Sequence, residues 1–112
     1  MSFNQDIVTE ALADLRQAKA LKQANEAALN NEEIHPNTRR QCEEAIEKAN
    51  RQSFAAKVRI HDQLRILKID LQDAEEEYLM FEGSDLELYA SIEQMKILLH
   101  TTETQRDHAT SN

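Results

Sequence analysis

The sequence predicts an all-α protein of three helices, arranged as two antiparallel helical hairpins that share a long, coiled-coil-like central helix. Three observations predict it. Residues 38–82 contain neither Gly nor Pro, the residues that most readily end a helix. Apolar or small residues recur there as Cys42, Ile46, Ala49, Ser53, Ala56, Ile60, Leu64, Leu67, Leu71, Ala74, Tyr78 and Phe81. Their steps alternate four and three, with one doubled four at Ile60, which is a coiled-coil seam carrying a single stutter. Finally, the flanking helices, about 3–31 and 85–103, would measure roughly 43 and 28 Å against roughly 68 Å for the central one.

That near-equality of lengths sets the register. Folded back antiparallel, residue 3 falls opposite about residue 66 and residue 103 opposite about residue 64. The short helices are therefore expected to meet near Leu64 to Ile66. Such a rod is two helices thick at most points, and a second copy would complete four-helix layers, so a homodimer is expected. The alternative is a compact three-helix bundle with the third helix beside the first.

The first helix is expected to start near Ser2 to Asn4, where Ser2 and Gln5 could form a capping box. Ile7, Val8, Ala11, Leu12, Leu15, Ala18 and Leu29 fall on one arc of its wheel, with Leu21 at the edge. Lys22 and Asn25 interrupt that arc. They either fix register as polar seam residues or mark a more exposed stretch.

Asn30-Asn31 and His35-Pro36-Asn37 break the pattern, since Pro36 lacks a donor and restricts His35. Thr38 with Gln41 offers a capping box for the central helix. Glu32 and His35 have the Glu-x-x-His spacing of carboxylate-bridged di-iron proteins. One copy at a helix end is not a ligand set, so no metal and no cofactor are expected. Cys42 is alone, which excludes an intrachain disulfide and reads as a small seam residue.

A second face crosses the middle of the central helix. Phe54, Val58, His61, Arg65 and Ile69 lie together, well away from the seam. A helix apolar on two sides is covered on two sides, so these residues form the candidate self-association face.

Gly83 reads as a left-handed cap, and Ser84 with Glu87 as the capping box of the third helix. That helix has Leu88, Ile92, Met95 and Leu99 as its seam. Residues 1–103 thus form one helical domain, and the polar stretch 104–112 is expected to fray as a flexible tail. His100, Glu103, Asp107 and His108 would share a face if the helix continued, and are expected to be surface residues.

Charge divides the chain. The net charge is −8. Residues 1–69 carry 11 Lys and Arg against 10 Asp and Glu, whereas residues 70–112 carry 2 against 11. Eight acids fall between Asp70 and Glu87 with no basic residue among them: Asp70, Asp73, Glu75, Glu76, Glu77, Glu82, Asp85 and Glu87. Acids at the C-terminal end of a helix oppose its macrodipole, at up to about 1 kcal/mol each. The arrangement is thus not one that helix stability selects. A solvated face is the plain reading, and a docking surface for a basic partner is the sharper one.

Such an excess of carboxylates repels nucleic-acid backbones and anionic membranes. Arg39, Arg40, Lys48, Arg51, Lys57, Arg59, Arg65 and Lys68 are spread around the helix with no aromatic stacking platform, so direct nucleic-acid binding is not expected. No apolar run approaches the length of a membrane span and no leader precedes the first helix, so a bacterial or infected-host cytoplasm is expected. No phosphate loop, nucleophile arrangement or zinc spacing is present, and a thin rod offers no catalytic cleft. The expectation is a non-enzymatic protein-binding factor, an adaptor, assembly chaperone or inhibitor, docking through its acidic end or its rod surface. Secretion chaperones and phage-encoded inhibitors share this general build, an analogy of fold alone. The alternative is a nucleic-acid mimic whose carboxylates occupy a DNA- or RNA-binding protein.

Overall fold

The computed structural model describes residues 2–111. It has three helices, α1 (Gln5–Leu29), α2 (Pro36–Met80) and α3 (Leu86–Thr110), and no strand among the described residues. The molecule is a rod of 71 × 21 × 16 Å, whose length is that of α2. The extended shape is that of hairpins on a shared spine and not of a compact bundle.

Each helix begins at a side-chain cap, though not at the residues whose spacing suggested capping boxes. Asn4, not Ser2, caps α1 by accepting the Asp6 N–H at 2.9 Å. His35, not Thr38, caps α2: its Nδ1 accepts the Asn37 N–H at 3.1 Å. Pro36 then takes the first helical position, where its missing donor costs nothing. Asp85, not Ser84, caps α3 by accepting the Leu88 N–H at 3.0 Å. Ser84 instead donates its hydroxyl to the Phe81 carbonyl at 2.7 Å. In each case the residue immediately before the first helical position takes the role.

The seam of α2 is as the spacing predicts. Cys42, Ala49, Ala56, Ile60, Leu64, Leu67 and Ala74 are buried, and Ile46, Ser53, Leu71 and Tyr78 are partly so. Phe81 departs from it. It lies past the end of α2, more than half exposed, because the chain has already begun to reverse. From α1, Val8, Ala11, Leu12, Leu15 and Ala18 close over the seam. Lys22 is exposed, and the half-buried Asn25 donates to the Leu21 carbonyl of its own helix at 2.7 Å. Neither therefore fixes register across the hairpin.

Register is set by three cross-helix polar pairs. The Asn4 N–H donates to Gln63 Oε1 at 2.7 Å, Gln52 donates to Gln17 at 3.1 Å, and Arg59 pairs with Asp14. Residue 3 thus lies close to the expected residue 66. On the other hairpin the Tyr78 and Tyr89 rings stand 5.8 Å apart, the same register that puts residue 103 opposite 64.

The expected end of the third helix is corrected. It runs to Thr110, not to about 103, and residues 104–110 are helical with Ala109 buried. The two short helices consequently do not meet end to end near Leu64. The last turns of α3 lie beside the first half of α1, and Ala109 joins the core cluster of Val8, Ala11, Leu12, Leu15, Ala56, Ile60 and Leu64. The rod is three helices thick there and two elsewhere. The reason is visible in the spacing: Thr102, Arg106 and Ala109 extend the four-three steps of Leu88, Ile92, Met95 and Leu99. A threonine, an arginine stem and an alanine fill a seam that periodicity of apolar residues alone does not reveal.

Candidate functional site

The α2–α3 reversal builds the tip of the rod. Glu82 and Gly83 both take left-handed backbone conformations, with φ of 55° and 73°. Gly83 donates its N–H to the Tyr78 carbonyl at 3.0 Å and Glu82 to that of Leu79 at 3.1 Å, closing off the last carbonyls of α2. Glycine is at ease in that region, whereas glutamate is strained by roughly 1–2 kcal/mol. The chain therefore turns back within five residues, and α3 covers only the Tyr78 side of the last turn of α2.

What it leaves open is apolar. Leu79, Met80 and Leu86 are 74%, 82% and 78% exposed, with Phe81 and Tyr89 about half exposed beside them. Scattered exposed apolar residues are ordinary, whereas these large ones fall together at one end of the rod. A cleft of about 160 Å³ adjoins it, formed by Tyr78, Leu79, Tyr89 and Ile92 with Glu75, Glu93 and Lys96.

The eight carboxylates run along the end of α2 and through the reversal into α3. Asp70 is half-buried and the other seven are exposed. At 100° per residue, Asp70, Asp73, Glu75, Glu76 and Glu77 go round α2 instead of lining one side. Glu82, Asp85 and Glu87 follow on the reversal and the first turn of α3. None of the eight is in an ion pair among the described residues. Their hydrogen bonds are local, Gln72 to Glu76 at 3.4 Å and the Asp85 cap. The sequence shows the charge but not the apolar centre, since Phe81 reads as seam and Leu79 and Met80 fall outside it. The signal available is three large apolar residues in a row just before Gly83.

The second face is also open. Phe54 is 70% exposed, Val58 and Ile69 are exposed to a lesser degree, and His61 and Arg65 are exposed with them. Phe54 borders a groove shared with Leu15 and Ala18 of α1 and Ala109 of α3.

Among the described residues no group of three or more metal-ligating side chains comes together. His35 caps α2, which gives the Glu32-x-x-His35 string a structural explanation. His100, Asp107 and His108 are exposed and Glu103 is half-buried. No helix of the described residues is long and apolar enough to cross a membrane. No protein-family model, curated protein or solved structure matches the chain.

Proposed function

We propose that this protein is a non-enzymatic binding factor that docks its acidic tip on another protein, one that presents an apolar pocket rimmed by basic side chains. The observation that carries this reading is the juxtaposition of Leu79, Met80 and Leu86, each about three-quarters exposed, with seven exposed and unpaired carboxylates. Interfaces gain most of their affinity from a few buried apolar anchors and much of their association rate from charge around them. A nucleic-acid mimic would carry its carboxylates along the rod in rows. Here they gather at one end of the rod, beside an apolar patch that no duplex resembles.

The Phe54–Ile69 face serves as a self-association surface in this reading. Val58, His61, Arg65 and Ile69 stay exposed within one chain, and Phe54, itself exposed, stands at the edge of the groove between α1 and α2. An antiparallel pairing of two copies across it leaves both tips free at opposite ends of the rod.

The test is affinity capture from source cells with three baits: the natural chain, Glu75→Lys/Glu76→Lys/Glu77→Lys, and Leu79→Ser/Met80→Ser. A protein held by the natural chain, weakened by salt, and lost from both variants supports the reading. A protein held equally by all three places the docking site on the rod. Competition by DNA for the captured protein would instead favour mimicry.

A further inference from the structure

The character of α3 changes half way along. From Leu88 to Leu99 it meets α2 through Leu88, Ile92, Met95 and Leu99. From His100 to Thr110 the equivalent positions hold Thr102, Arg106 and Ala109, and Ala109 is the only apolar side chain in the stretch. Yet these residues lie over the core. Ala109 packs in the buried cluster with Leu12, Leu15, Ala56 and Ile60. Thr102 is 1% exposed, and its hydroxyl has no hydrogen-bond partner in the protein. A buried hydroxyl without a partner is destabilising, and alanine and threonine contribute little apolar area in return.

The stretch is also weakly tied. Lys19 Nζ donates to the Ser111 carbonyl, and the Arg106–Asp107 pair stays within the helix. By contrast α1 and α2 hold each other directly, through Asn4–Gln63, Gln17–Gln52 and Asp14–Arg59. None of those pairs uses α3.

We infer that residues 100–110 form a strap that lifts cooperatively from the α1–α2 groove while Leu88–Leu99 and the α1–α2 hairpin stay folded, with the buried Thr102 hydroxyl setting how readily it lifts. A groove of about 320 Å³ already stands open at its end, between Leu15 and Ala18 of α1 and Ala49, Ser53 and Phe54 of α2. Lifting the strap extends that groove along the core.

Hydrogen exchange on the full chain tests this, because local opening is read amide by amide. Amides of residues 103–110 are expected to exchange together, at least about tenfold faster than those of 90–99 and of 56–67. Thr102→Val keeps the shape and removes the hydroxyl, so it should slow 103–110 about tenfold and leave 90–99 unchanged. Exchange of 103–110 in step with 90–99 overturns the strap. So does a smooth gradient rising toward residue 110, which is ordinary fraying, or a fast segment that Thr102→Val does not slow.

Discussion

The backbone N–H of Asn4 donates to Oε1 of Gln63 at 2.7 Å, across 59 residues of chain. Gln63 is buried next to the seam residues Ile60, Leu64 and Leu67, and the bond fixes where α1 begins against α2. Asn4 is also the N-cap of α1, so the same residue starts the helix and locks its register.

Gln63→Ala is accordingly expected to lower the unfolding free energy by about 1–2 kcal/mol, from a lost hydrogen bond and lost packing of its buried stem. Urea denaturation followed by circular dichroism measures it. Gln52→Ala, whose contact with Gln17 is exposed, should cost less than about 0.5 kcal/mol.

Core and tip separate in the same assay. Leu64 is fully buried in the central cluster, and Leu64→Ala should cost about 2–5 kcal/mol through lost transfer energy and a cavity. Leu79→Ala should change stability by less than about 0.5 kcal/mol, since the side chain is already in water. A large loss for Leu79→Ala would mean that the tip is structural and not a docking surface.

The second face predicts oligomeric state. The natural chain should run as a dimer in light scattering, and Phe54→Asp as a monomer with an unchanged helical spectrum. Phe54 is 70% exposed at the edge of the α1–α2 groove, so the substitution should not unfold it. A natural chain of monomeric mass at high concentration would remove the role assigned to this face.

The reversal carries its own test. Gly83 sits at a φ of 73° with room for a Cβ, whose nearest neighbour would be the Tyr78 hydroxyl at 3.4 Å. The cost of Gly83→Ala is therefore one of backbone conformation, about 1–2 kcal/mol, and a melting temperature lower by several degrees should report it. Glu82→Asn, placing a residue that tolerates a φ of 55°, should be neutral or slightly stabilising.

Much of the rod is written in periodicity. Cys42 through Tyr78 mark the seam, Gly83 marks the reversal, and antiparallel folding at the two chain breaks gives the register that Asn4–Gln63 and Tyr78–Tyr89 display. These are local properties: a 3.5-residue repeat keeps one stripe facing one partner whatever else the chain does. The charge division is likewise a matter of order along the chain.

The tertiary structure decided what periodicity is silent about. Thr102 and Arg106 carry no apolar signal and Ala109 only a weak one, so only the packing of α3 beside α1 shows that residues 104–110 are helical and that the middle of the rod is three helices thick. Burial there follows from having a groove to enter, not from the hydrophobicity of what enters it. The same holds, in reverse, at the other end. Leu79, Met80 and Phe81 are as apolar as any seam residue, and they stand exposed because α3 packs on the Tyr78 side of α2 and Phe81 lies past the end of that helix.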